Sequence, residues 1–263
     1  MKKELNLMIT PAEFPVPLII LPETDSTNNY LTQLCNEQQS AVREFTTVIA
    51  ERQTAGKGQR GNSWESEDCR NITFSFVLYP TFIEARRQFI LSQIVSLSIK
   101  EELDEWTKGI SIKWPNDIYW NEKKICGILI ENDLSGHHIG RSISGIGVNI
   151  NQETFRSDAP NPVSLKQITG QEHERYLILA NIMRRLKEYY ILLQTDSSGN
   201  AANCIAERYA RSLFRREGFH RYADADGEFL ARLLCVEPDG RFILEDQAGK
   251  VRGCLFKEVQ YIL

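Results

Sequence analysis

Three glycines, a lysine and an arginine crowd into QTAGKGQRGNSW, residues 53–64. Backbone N–H groups with no side chains in the way, flanked by cations, are what a loop uses to receive an anion. Gly56, Gly58 and Gly61 have the G-x-G-x-x-G spacing of dinucleotide sites. The context does not fit one. A dinucleotide loop opens directly into a helix whose N-terminus takes the pyrophosphate, but here NSWESEDCRN is a polar connector into another strand. Where that fold needs an acidic residue, about 20 positions further on, the chain has Tyr79, Pro80 and Thr81. No G-x-x-x-x-G-K-[ST] run exists either. Taken alone, the stretch reads equally as an anion loop and as a surface loop with incidental charges.

Other stretches point toward the same chemistry. In SGIGVNI, Ile146, Val148 and Ile150 alternate with Gly145, Gly147 and Asn149, so one face of a strand packs and the other is almost bare backbone. A bare face admits a ligand against the main chain, or else marks a bulge or crowded crossing. Gly127 in ICGILIE puts another glycine in a strand of the same meander. In KWPNDIYW, Pro115 restricts Trp114 to extended backbone, and Asn116 and Asp117 then enter a turn. An amide and a carboxylate at a strand end suit a nucleobase edge or a magnesium ion, but taken alone the stretch reads better as an ordinary Pro-Asn-Asp turn.

The elements that must position these residues are legible from periodicity. PLIILPET is a strand, and Asp25 or Ser26 caps a helix carrying Tyr30, Leu31, Leu34 and Cys35. FTTVIAER and NITFSFVLY are strands on either side of the glycine loop, and residues 84–106 form a helix with one apolar face. ISIKW, KKICGILIEN and RSISGIGVNIN describe a strand meander, with LSGHH as a turn. Ser164 and Gly170 bound a short helix, and longer helices run over about 173–195 and 201–214. After Gly218, the runs EFLARLLCV, RFILED and VRGCLF, broken by PDG and QAG, form a small β unit. The resulting class is α+β, a mixed, largely antiparallel sheet packed by helices.

Bulk composition excludes several functions. The 263 residues carry a net charge of −4, so no basic field exists for duplex DNA. No stretch has the length of a membrane span and the first residues lack a signal-peptide pattern, which predicts a cytoplasmic protein. The six cysteines contain no C-x-x-C pair, the four histidines form no H-E-x-x-H, and no nucleophile elbow is present. Zinc chemistry and serine hydrolysis are therefore not expected.

In order and separation, TDSTNNY, QTAGKGQRGNSW, KWPND, KKICGILIE and GIGVNI resemble the catalytic core of biotin protein ligases, the biotin-[acetyl-CoA-carboxylase] ligases. The resemblance covers about residues 17–263. It implies the biotin/lipoate ligase fold, similar to class II synthetases, with a catalytic domain over 1–216 and an SH3-like β barrel over 217–263. It further implies a two-step reaction in which biotin and ATP, with Mg2+, give biotinyl-5'-AMP, and biotin then passes to one lysine of a biotin carboxyl carrier protein.

Carried over residue by residue, the resemblance makes Lys124 the cation holding the biotin carboxyl and the phosphate, with Lys57 and Arg60 converging from the loop. Ser26, Thr27, Asn28 and Gln53 become partners for the ureido group. Gly56, Gly58, Gln59, Gly127 and Gly145 fall around biotin, and Trp64, Asn116 and Asn149 around the nucleotide. Ser26 also reads as a simple cap, Trp64 as a packing residue, and Asp117 as either a magnesium neighbour or a proton acceptor. The loop departs from the G-R-G-R-x-G-R form common in the family, since Lys57, Gln59 and Asn62 stand where arginines are frequent. Arg60, one place later, is a candidate to take over a charge role, and because lysine lacks the bidentate grip of arginine, how tightly the loop holds the mixed anhydride stays open. Only 16 residues precede the first strand, which predicts a dedicated ligase and not a DNA-binding repressor. A monomer and a weak homodimer both stay open. The rival readings are a lipoate or octanoate transferase of similar fold and a non-catalytic biotin- or nucleotide-binding module.

Overall fold

Alternation along ITFSFVL decides which face of the sheet is core and which is free for a site. In β3 (Ile72–Leu78), Ile72, Phe74, Phe76 and Leu78 join the main hydrophobic core, while Thr73, Ser75 and Val77 face the other way. The computed structural model describes residues 13–38, 42–58, 62–157 and 160–263. The loop tip, residues 59–61, and with it the expectations for Gln59 and Arg60, lies outside the described residues.

The remaining strands of this sheet are β1 (Leu18–Leu21), β2 (Thr47–Ala50), β4 (Ile110–Lys113), β5 (Asp117–Trp120), β6 (Lys123–Ser135) and β7 (His138–Val148). They order as β1-β2-β3-β7-β6-β5-β4, with β1 and β2 parallel and every other neighbour antiparallel, the mixed, largely antiparallel sheet expected. Helix α1 (Thr27–Glu37) makes the crossover between the two parallel strands and buries Leu31 and Cys35 against Val48, Val77 and Ile143 on one face. The opposite face carries α2 (Phe89–Asp104), α4 (Arg175–Thr195) and α5 (Asn200–Arg211). Between them, α3 (Leu165–Thr169) is bounded as its sequence predicts: Ser164 and Gln167 form a capping box, and Gly170 closes the helix at φ 75°.

Two differences from the sequence reading bear on the site. The turn expected at Asn116 and Asp117 occupies residues 114–116, and Asp117 already opens β5, whose Ile118 and Tyr119 are buried. The C-terminal unit has five strands, two more than the three apolar runs suggested: β8 (His220–Asp224), β9 (Gly227–Val236), β10 (Phe242–Asp246), β11 (Val251–Cys254) and β12 (Gln260–Tyr261). HRYAD and QY are too short or too polar to show a period of two.

Trp114 joins the two sheets. Its Nε1 donates to the Gly240 carbonyl at 2.9 Å, and its ring stacks on Phe242 with centroids 4.9 Å apart. Next to it, the Pro115 carbonyl accepts from Tyr209 Oη at 2.9 Å, tying the same turn to α5. Truncation at Trp114 would leave a cavity and an unpaired carbonyl at this seam. Trp114→Ala is expected to cost about 3 kcal/mol or more in urea unfolding and to expose residues 214–219 to limited proteolysis.

Candidate functional site

The bare face anticipated in SGIGVNI is real and forms the floor of a cleft of about 1100 Å³. Ile146, Val148 and Ile150 enter the core, while Gly145 and Gly147 turn the other way. In register beside them lie Ser75 and Thr73 of β3 and Leu129 and Gly127 of β6. Other groups fill the room that missing Cβ atoms provide. A Cβ on Gly145 would sit 2.2 Å from Asn28 Oδ1, one on Gly147 2.1 Å from the Trp64 indole, and one on Gly127 2.9 Å from the same ring.

Helix α1 supplies the polar wall. Gln53 Oε1 accepts from the Thr27 backbone N–H at 2.8 Å and from Thr27 Oγ1 at 3.1 Å. The Ser75 hydroxyl, 2.7 Å from Thr27 Oγ1 and 2.5 Å from Asn28 Oδ1, ties these two residues to the sheet, and Asn28 Nδ2 donates to Glu131 at 2.8 Å. Ser26 is the N-cap by position, yet its side chain makes no capping bond, and it is buried at the cleft wall. The capping reading of Ser26 is thus not what the structure shows.

The glycine loop stands over this wall as a short antiparallel stem. Gly58 N donates to the Asn62 carbonyl at 2.7 Å and Trp64 N to the Gly56 carbonyl at 2.9 Å. Lys57 reaches Asn29 on α1, which in turn donates to Asp25 at 2.5 Å. That Asn29 bond is the main reason the Asp25 carboxyl lies below its usual range.

The cations converge on the opposite side. Lys124 Nζ lies 2.8 Å from Asp117 Oδ1 and 5.9 Å from the centroid of Trp64. A bulge directs it there: Ile118 pairs with Cys126 but Tyr119 pairs with Lys124, so Ile125 is the extra residue. Lys124 and Gly127, an odd number of residues apart, thereby share a face. Lys113 is nearby, donating to Tyr119 Oη at 3.2 Å and lying 5.0 Å from the Tyr261 ring. Burial pushes its pKa down, while Asp117 pulls it back up. The described lining contains four lysines, Lys57, Lys113, Lys124 and Lys257, against two carboxylates, Glu65 and Asp117, which suits an anionic ligand.

Along the cleft, the buried atoms Trp64 Nε1 and Asn149 Oδ1 have no hydrogen-bond partner among the described residues. Asn149 holds its other amide atom on the Val163 carbonyl at 3.2 Å, and Asn116 donates to the Ile128 carbonyl at 2.5 Å. An orphaned acceptor on a buried amide is the expected mark of a site that completes its bonding with a ligand.

Among the described residues, the structure brings Ser26, Thr27, Asn28, Gln53, Lys57, Gly58, Trp64, Asn116, Asp117, Lys124, Gly127, Gly145 and Asn149 to this one cleft, and Gly56 to the loop stem beside it. Sequence reasoning missed Ser75, which holds Thr27 and Asn28, and, in the cleft lining, Lys113, Glu65, Phe155 and the C-terminal rim of Phe256, Lys257, Val259 and Tyr261. Ser75 had a signal, a small polar residue between phenylalanines, and Lys113 stands in the KWPND stretch itself. The C-terminal residues had none. No group of three metal-ligating side chains assembles among the described residues, and no helix among them is long and apolar enough to cross a membrane.

Residues 20–149 match the Biotin/lipoate A/B protein ligase family. The chain is 29% identical over 239 residues to the bifunctional ligase/repressor BirA of Bacillus spizizenii, covering 88% of this chain and 70% of that protein. It spans 63% of the length of the Bacillus subtilis counterpart. To the biotin--[acetyl-CoA-carboxylase] ligase of Paracoccus denitrificans it is 29% identical over 246 residues, covering 88% of this chain and 95% of the other. The structure of the biotin protein ligase from Aquifex aeolicus in complex with biotin and ATP superposes with a TM-score of 0.74 at 27% identity, covering 94% of this chain and 99% of that one.

A methyl group at Gly147 cannot coexist with the present position of the indole. Gly147→Ala is expected to swing Trp64 out of the cleft and red-shift its emission, read as the difference from the same variant carrying Trp64→Phe.

Proposed function

The chain carries, over residues 20–149, the domain of the biotin/lipoate A/B protein ligase family, and from that premise we propose that the cleft of this ATP-dependent biotin protein ligase makes biotinyl-5'-AMP and passes biotin to a lysine of a carrier protein. The Paracoccus denitrificans relative and the Aquifex aeolicus structure are named as biotin ligases, which favours biotin over lipoate within the family.

The difficulty of the first step is electrostatic. A carboxylate oxygen of biotin must form a bond to the α-phosphorus while the bond from that phosphorus to the bridging oxygen breaks and pyrophosphate leaves. Anion approaches anion, so cations fixed in a poorly hydrated cleft carry the catalysis. The observation that supports this most is Lys124, whose ammonium stands over the Gly127 floor beside Trp64, with its backbone pinned by Asn161 and Val163. Lys113 adds a second, half-desolvated charge. In the second step the neutral amine of the acceptor lysine attacks the acyl carbon, the acyl–oxygen bond breaks, AMP leaves and the amine loses a proton. Asp117, paired with Lys124, is the carboxylate available to take that proton.

The Thr27, Asn28, Gln53 and Ser75 network is the polar wall for the ureido group, and the unpartnered Asn149 Oδ1 is an acceptor suited to a nucleobase amino group. Magnesium fits as the counter-ion of the triphosphate: Asp117 is the side chain that would face it, and when bound the ion neutralises phosphate charge. A biotin carboxyl carrier domain is the acceptor class we propose, a reading supported by the relative named for acetyl-CoA carboxylase. We place that reaction in the cytoplasm, where ATP is supplied and the six unpaired cysteines stay reduced.

Purified protein is expected to exchange labelled pyrophosphate into ATP only when biotin is added; exchange with lipoate instead would overturn the substrate. Lys124→Ala should slow that exchange on the order of 10² to 10³ fold, the loss typical of removing one positioned charge-stabilising donor. A loss under about threefold would assign the stabilisation elsewhere.

A further inference from the structure

Glu65 follows Trp64 in the chain, and its carboxylate does not point at the lysines of the cleft. Its two oxygens accept from the Arg156 backbone N–H at 2.9 and 3.1 Å, from the Ser157 backbone N–H at 2.7 Å, and from Gln152 Nε2 at 3.2 Å. Two successive N–H groups closing on one carboxylate form an anion nest made by the protein for its own side chain. The segment receiving this clamp has no helix or strand, and among the described residues no backbone–backbone hydrogen bond holds 153–157. Side chains hold it instead. Gln152 donates to the Thr154 carbonyl at 2.8 Å, Gln167 donates to the Glu153 carbonyl at 2.8 Å, and Glu65 holds the far end. That far end matters because Phe155 and Ser157 line the same cleft as Trp64.

We infer that Glu65 is a positioning residue that straps the 154–157 segment to the base of the glycine hairpin, so that Trp64 and Phe155 close on the nucleotide together and retain the acyl-adenylate. The inference rests on the ligase reading for the identity of the intermediate, while the strap itself rests on the hydrogen bonds alone. Three features single out Glu65 over a generic surface carboxylate. It is adjacent in the chain to one aromatic wall of the cleft, it clamps Arg156 and Ser157, the two residues that directly follow Phe155, and its acceptors meet backbone donors that have no other partner among the described residues. Neutralising the carboxylate removes charge-assisted bonds to backbone N–H groups while leaving the volume unchanged, so the segment loosens without a cavity.

The test compares Glu65→Gln with the parent and with Glu67→Gln, a nearby acidic position outside the cleft. Expected for Glu65→Gln are hydrogen exchange at the Arg156 and Ser157 amides about tenfold faster, biotinyl-5'-AMP release in single-turnover experiments about tenfold faster, and a KM for ATP about tenfold higher, each the loss of roughly one charge-assisted hydrogen bond. Biotin affinity should stay within about twofold, and Glu67→Gln should match the parent throughout. Release and KM within about twofold of the parent would overturn the strap. So would equal losses of biotin and ATP binding together with a lowered melting temperature, which would make Glu65 a general stability residue. If the parent itself fails to exchange pyrophosphate with biotin present, the ligase reading falls, and AMP affinity with amide exchange in the same variants still decides the strap: a tenfold weaker AMP complex with faster exchange supports it, and no change in either refutes it.

Discussion

Where Gly145 and Gly147 lack a Cβ, the Asn28 amide and the Trp64 indole occupy the space, at distances no side chain could tolerate. The arrangement of the cleft depends on this approach of side chains to bare strand. Because Ile146 and Val148 on the other face are buried in the main core, the strand cannot rotate or slip to relieve it. The first turn of α1 is drawn down onto the sheet, where Ser75 links Thr27 to Asn28. The base of the glycine hairpin is fixed on the other side by Trp64. One face with no side chains therefore brings together a helix start and a loop that are far apart in the chain.

Charge is arranged around that floor. Lys124, Lys113 and Asp117 come from adjacent strands β4, β5 and β6, so their mutual geometry is set by sheet pairing, which is stiffer than a loop could be. Lys57 approaches from the hairpin and is held by Asn29, an exposed contact that contributes little to stability. Rigid cations lie under the cleft and a tethered one lies at its rim. This division suits a reaction that must assemble two anions and then keep water from a reactive product.

The C-terminal sheet completes the enclosure. Trp114 stacks on Phe242 and bonds to Gly240, and the same packing delivers Phe256, Val259 and Tyr261 to the cleft wall. Tyr261 also lies against Lys113, so a residue near the end of the chain touches a cation of the KWPND stretch. The β tail is thus part of the site's wall as well as a packed appendage.

Much of this was legible in the amino-acid sequence, because it is written in local pattern. Alternation in SGIGVNI identified the bare face, the order of TDSTNNY, QTAGKGQRGNSW and KWPND identified the residues around it, and Ser164 with Gly170 bounded α3 as they should. Strand β5 and the strands β8 and β12 were not legible, since runs of two to five residues carry too little period to separate strand from turn. The facing of Lys124 was decided only in three dimensions. A strict period of two puts it opposite Gly127, and the bulge at Ile125 reverses that assignment. A bulge is set by the pairing partner, here β5, and leaves no mark in the strand that carries it. The same holds for Glu65 and Phe155 and for the rim at 256–261: residue type and neighbours along the chain do not encode contacts made across it, so the ordered motifs carried the family resemblance while packing chose which groups face the cleft.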